Sequence, residues 1–134
     1  MVKYYSGLVH TMPIFSIIFL IFTMANIALP GTSSFVGEFL LLAGVFKVST
    51  VAAFFGATGM ILGGAYSLWL FNRITYGNLK IQYITNFQDM DYREFMVLLP
   101  LLTGTFVLVV YPFLFLDAIY SSVYFLEILI NHFN

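Results

Sequence analysis

The chain has 134 residues, of which 61% are hydrophobic and 8% charged, with a net charge of −1 and a mean hydropathy of +0.98. Soluble domains carry roughly 25% charged residues, so this composition reads as an integral membrane protein. A near-neutral chain without a basic patch excludes nucleic acid as a partner, and the absence of cysteine excludes disulfides and thiolate metal sites.

The first twelve residues, MVKYYSGLVHTM, are polar to mixed and carry one cation, Lys3. The apolar tract Ile14–Leu29 follows. No A-x-A-like cleavage site comes after it and further apolar tracts do, so it is expected to be retained rather than removed as a signal peptide. At 16 residues it is short of the roughly 20 that a full crossing needs.

The stretch Leu29–Phe39, LPGTSSFVGEF, then interrupts the apolar sequence with a helix breaker (Pro30), a hinge (Gly31) and three hydroxyls (Thr32, Ser33, Ser34), followed by one acid, Glu38. A second short tract, Phe35–Ser49, contains Glu38 and Lys47. Unpaired backbone groups cost several kcal/mol in lipid, so a break at membrane depth is tolerated only where protein or trapped water satisfies them. An ionisable residue beside such a break is a functional-site hypothesis by default.

The two short tracts read as one broken crossing. That choice puts Lys3, Arg73, Lys80 and Arg93 on one side and Lys47 alone on the other, the stronger form of the positive-inside bias. Pro13–Lys47 would span about 50 Å if fully helical, so tilt and the unwound middle must absorb the excess.

Val51–Asn72 and Phe95–Leu116 carry no charge and are each long enough to cross. The first holds Gly59 and Gly63 at GxxxG spacing, a candidate helix-packing face. It ends in Trp69, Arg73 and Tyr76, an interfacial boundary in which Arg73 reads as an anchor. The connection Gly77–Glu94 clusters Asp89, Asp91, Arg93 and Glu94. It lacks the glycine and spacing of a calcium loop and reads as solvated chain. Pro100 and Pro112 are expected to kink the last span. In the tail, Ile119, Val123, Leu126, Ile130 and Phe133 recur every three or four residues, the mark of an amphipathic helix on lipid or on a partner.

The expected fold is therefore an all-α membrane protein with about three crossings, the first broken mid-membrane, and a C-terminal amphipathic helix. Its parts are a lead-in over 1–12, the broken helix over 13–49, a span over 50–74, a loop over 75–94, a span over 95–116 and the tail over 117–134.

No nucleophile triad, HExxH motif or phosphate loop is present, and His10 and His132 lie too far apart in sequence to suggest a metal or haem pair. No metal is expected. The candidate chemistry is Glu38 alone. A carboxyl in apolar surroundings loses the hydration of its charged form and is suited to taking up and releasing a proton. The competing reading places Glu38 in the first turn of a helix starting near Ser34, where the macrodipole favours negative charge and the acid only stabilises the helix end. Asn26, Thr32, Ser33 and Ser34 would line a wet path or cap the broken ends.

The runs GLVHTMPIFSIIFLIFTMANIALPGTSSFVGEFLLLAGVF, GMILGGAYSLWLFNRITYGNLK and REFMVLLP strongly resemble the C-terminal part of the subunit 4 family of mitochondrial NADH:ubiquinone oxidoreductase, complex I. This family of antiporter-like subunits is shared with Mrp-type cation/proton antiporters. The resemblance covers nearly all of Gly7–Asp117. It implies that Leu29–Phe39 is the second of two broken helices in an inverted repeat, and that Glu38 is the carboxylate at the exit side of a proton half-channel. It also implies that the 75–94 loop faces the matrix of a mitochondrial inner-membrane protein.

The chain itself would hold no cofactor, with NADH, FMN, iron–sulfur clusters and ubiquinone in other subunits. The input-side glutamate–lysine pair and the central lysine of the family lie upstream of this sequence. The initiating Met and the full tail favour a split subunit over a partial product. The expected partners are then a separate polypeptide carrying the N-terminal part of subunit 4, neighbouring antiporter-like subunits and membrane lipid. The alternatives in other classes are a structural membrane subunit without proton transfer and a component of an Mrp-type antiporter.

Overall fold

The computed structural model describes residues 2–83 and 87–133, and residues 84–86 of the expected loop lie outside the described part. A single 3-10 turn, Val2–Tyr4, precedes six α-helices among the described residues: α1 (Leu8–Thr11), α2 (Pro13–Asn26), α3 (Ser33–Val48), α4 (Thr50–Thr75), α5 (Tyr92–Val110) and α6 (Phe113–Phe133). Three of them, α4, α5 and α6, are long and apolar enough to cross a membrane. This is an all-α, multi-pass membrane protein.

Why the helices begin and end where they do follows from local chemistry. Pro13 occupies the first position of α2, where its missing N–H costs nothing and its fixed φ is already helical. Ser49 separates α3 from α4, and its hydroxyl accepts the Ala52 N–H at 3.4 Å to cap α4. Pro100 sits inside α5, and the Thr103 hydroxyl donates to the Pro100 carbonyl at 3.0 Å.

The second proline acts differently from the expected kink. Tyr111 and Pro112 end α5 altogether, so the expected single span over 95–116 is divided and the last helix starts at Phe113 rather than at Asp117. Pro112 has no N–H to continue the ladder. Ile119, Val123, Leu126 and Ile130 are all exposed on α6.

The α4 helix, about 39 Å long, is the brace of the fold. Phe19 of α2 packs against Phe71 with ring centres 5.6 Å apart and the rings tilted by 37°, and Asn26 reaches Ser67. In the connection after α2, Ile27 lies against Gly64. Further along, Leu42 of α3 lies against Gly56. As the chain advances from residue 19 to 42, its partners on α4 retreat from 71 to 56. The helices α2 and α3 therefore follow one another along a single antiparallel neighbour. This is the arrangement that the expected single broken crossing requires.

The stripe of α4 that meets them runs Ala53, Gly56, Gly64, Ser67, Phe71, with Thr75 fully buried at its end. Gly59 and Gly63, the expected packing pair, are turned off this stripe. A Cβ at Gly59 would meet nothing within 4 Å, and one at Gly63 only Tyr66 of its own helix. The residues that allow close approach are Gly56 and Gly64, because the α2–α3 face follows the helical repeat from Ala53 to Thr75.

Candidate functional site

The break in the first crossing occupies residues 27–32. Pro30 and Gly31 lie in it as expected, and Gly31 takes φ +100°, which suits a residue without Cβ. The break opens earlier than the proline, however. Ala28 has φ +61°, a left-handed conformation uncommon for a residue with a Cβ. Nothing in the side chain of Ala28 signals this.

Freed backbone groups are satisfied locally. The Leu29 N–H donates to the Met24 carbonyl at 3.2 Å, and the Ala28 N–H to that of Ala25 at 3.1 Å. Thr32 is buried, and its hydroxyl donates to the Leu29 carbonyl at 2.7 Å. Thr32 is the residue at the N-cap of α3, but its side chain makes no capping bond to α3 and closes the preceding turn instead.

Asn26, the last residue of α2, donates from Nδ2 to Ser67 Oγ at 3.4 Å. Ser67 in turn donates to the Gly63 carbonyl at 2.8 Å. The amide and hydroxyl line a cleft of about 210 Å³ with Thr23 and Tyr66 at the level of the break. On the opposite side, Ser33 lines a second cleft of about 260 Å³ with Val36, Gly37 and Pro112. The start of α3 and the break between α5 and α6 thus adjoin.

Glu38 is half-buried. The α3 helix begins at Ser33 and has no acid in its first turn, which places Glu38 in the second turn. This corrects the first-turn placement, because the helix starts at Ser33 and not after Ser34. At 100° per residue, Glu38 shares a face with Ser34, Leu41 and Val45. Leu42, which meets Gly56 of α4, lies about 40° to the other side of Glu38, whereas Val36 and Leu40, which line the cleft with α5, are on the far side of the helix. The acid stands in the turn after the break, half-buried between Leu42 on the α4 side and the exposed Ser34, Leu41 and Val45.

At the start of α2, sequence reasoning missed a residue. The Asp89 carboxylate accepts hydrogen bonds from the Ile14 N–H at 3.1 Å and the Phe15 N–H at 3.3 Å. Partial burial works against its charge, but the N–H groups of Met90, Ile14 and Phe15 outweigh that effect and hold its carboxyl below the usual carboxylate range. A weak sequence signal existed, since Met12 at the N-cap offers only a weak thioether acceptor in place of the oxygen of Ser, Thr, Asp or Asn, and makes no capping bond. Among the described residues no group of three or more His, Cys, Asp or Glu could hold a metal. Arg73 sits 5.0 Å from the centre of the Trp69 ring, the arrangement of an interfacial anchor.

A family profile described as "NADH:quinone oxidoreductase/Mrp antiporter, TM" matches residues 1–63, which contain the broken helix and Glu38. Residues 1–63 are similar to that family. Among curated relatives, NADH-ubiquinone oxidoreductase chain 4 of Marchantia polymorpha is 55% identical over 91% of this chain. Chain 4 of Chondrus crispus is 50% identical over 98% of it. NADH-quinone oxidoreductase subunit M of Rhodobacter capsulatus is 49% identical over 89%. The chain spans about a quarter of the length of these relatives, 25%, 27% and 23% respectively. The resemblance seen in the LPGTSSFVGEF and AYSLW runs is thus upheld, with similarity to chain 4 extending over most of the sequence.

Proposed function

We propose that this chain supplies the exit-side portion of a proton-translocating, antiporter-like subunit of complex I in the mitochondrial inner membrane, and that Glu38 is the group that takes up and releases the proton. The observation that carries this reading is the position of Glu38: a half-buried carboxylate in the second turn after the break. The macrodipole effect falls off within the first turn of a helix, so stabilisation of the helix end gives little reason for an acid there. Proton exchange with water admitted at the break does.

In this reading the redox chemistry lies elsewhere in the assembly, and the chain contributes only the relay. The exposed Ser34, Leu41 and Val45 beside Glu38 are covered in this reading by the part of the subunit that the relatives carry and this sequence does not. The names of the relatives support a redox-driven complex over a free-standing antiporter.

The Glu38→Gln substitution in assembled complex, reconstituted in sealed vesicles, tests the proposal. NADH oxidation is expected to continue while the number of protons moved per electron falls. An unchanged ratio rules the relay out.

A further inference from the structure

The start of α2 has few donors to satisfy, and all of them can be accounted for. Pro13 has no N–H. The Ser16 N–H already donates to the Met12 carbonyl at 3.1 Å. Only the N–H groups of Ile14 and Phe15 are left, and both donate to Asp89, from 75 and 74 residues away in sequence.

The loop that carries Asp89 is fastened to the same end of the bundle at several other points. The Gly7 N–H donates to the Tyr76 carbonyl at 3.3 Å, and the Ser6 hydroxyl to the same oxygen at 3.4 Å. Lys80 Nζ donates to the Lys3 carbonyl at 2.8 Å. Tyr76 is the residue that ends α4. The loop therefore ties the end of α4 to the start of α2 and holds both at one level.

We infer that Asp89 is a positioning residue for the broken helix: by fixing the start of α2 against the end of α4, it sets where the break falls along α4 and hence where Glu38 stands. The contacts Phe19–Phe71, Asn26–Ser67 and Ile27–Gly64 form one register. A slide of α2 along α4 would break all three together and displace residues 27–32, onto which α3 and Glu38 are joined. The inference rests on the reading of Glu38 as the relay, and its test keeps the two apart.

Three variants are compared in assembled complex: Asp89→Ala, Asp89→Asn and Glu38→Gln. Two quantities are read, hydrogen exchange at the Ile14 and Phe15 amides and protons moved per electron. Loss of a side-chain cap shifts a helix end by about fivefold in equilibrium. Exchange at these two amides is therefore expected to quicken about fivefold in Asp89→Ala, and less in Asp89→Asn, which keeps a neutral acceptor. The proton ratio is expected to fall in Asp89→Ala and to recover in part in Asp89→Asn, with electron transfer per assembled complex unchanged.

Unchanged exchange in Asp89→Ala overturns the inference. So does faster exchange with a normal proton ratio, where Glu38→Gln lowers that ratio. A normal ratio in Glu38→Gln overturns the relay reading and this inference with it. Should Asp89→Ala fail to assemble, Asp89→Asn decides: intermediate exchange with an intermediate ratio supports the positioning role, and wild-type values of both overturn it.

Discussion

The Asp89 carboxylate holds the Ile14 N–H at 3.1 Å across 75 residues of chain. A helix end is normally capped by its own preceding residue. Here the loop after α4 supplies the acceptor. The first half of the broken crossing is therefore secured from outside itself, and its stability responds to changes in that loop.

The pH dependence of this contact has a definite sign. Asp89 is held below the usual carboxylate range, so its contribution is fully present above the ordinary aspartate value of about 3.9. It is lost only as pH falls through the lower folded value. Docking of the loop on α2 is expected to be unchanged between about pH 6 and 8. The ratio of Ile14 and Phe15 exchange rates in wild type to those in Asp89→Asn checks this and should stay flat over that range.

Gly7 and Gly77 meet where the lead-in crosses the end of α4. Gly7 has φ +73°, and a Cβ there would lie 2.8 Å from the Gly77 carbonyl oxygen, while Gly77 has φ +104°. Gly7→Ala is expected to destabilise this end of the bundle by about 1–3 kcal/mol, through strain and a backbone clash that cannot relax. Thermal unfolding of the assembled complex, followed by release of the chain, is the measurement. A shift no larger than that of Gly59→Ala, which meets open space, would contradict it.

Across the α2–α4 contact, Asn26→Ala and Ser67→Ala should show coupling. Hydrogen bonds between membrane helices average about 0.6 kcal/mol in double-mutant cycles, with a maximum near 1.7. A coupling energy in that range is expected from the two single variants and the double variant in thermal denaturation. Additivity within error would mean that the 3.4 Å contact contributes nothing.

Close approach at Gly64 predicts a steric effect. A Cβ there sits 3.4 Å from Ile27, so Gly64→Leu would drive the start of the break away from α4. Overpacking of this kind costs about 1–3 kcal/mol. The yield of assembled complex, compared with that of Gly64→Ala, is the readout, and equal yields would exclude the effect.

Much of this architecture was legible in the residues. Pro30 and Gly31 located the break, and the uncharged length of Val51–Asn72 located α4. The expected span over 95–116 is divided at Pro112, however, and the tail read as amphipathic belongs to a third helix long and apolar enough to cross. What escaped depends on partners distant in sequence or on conformations that side chains do not announce. Ala28 takes a positive φ without any of the features that favour one. Gly59 and Gly63 carry the familiar spacing, but the stripe that packs runs through Gly56 and Gly64. The choice depends on which face α2 and α3 approach, and one helix considered alone does not reveal it. Asp89 looked like one acid in a polar loop because its role exists only once that loop has folded back on Ile14.

The arrangement of α2 and α3 along α4 also bears on how the protein is made. Synthesis proceeds from the amino end, so the interrupted crossing leaves the ribosome before the helix that braces it. Until residues 50–75 have been threaded into the bilayer, Asn26 lacks its partner Ser67 and Ile27 its contact at Gly64. Insertion of this region is then a delayed event, in which hairpin formation with the following helix draws the unwound stretch into place.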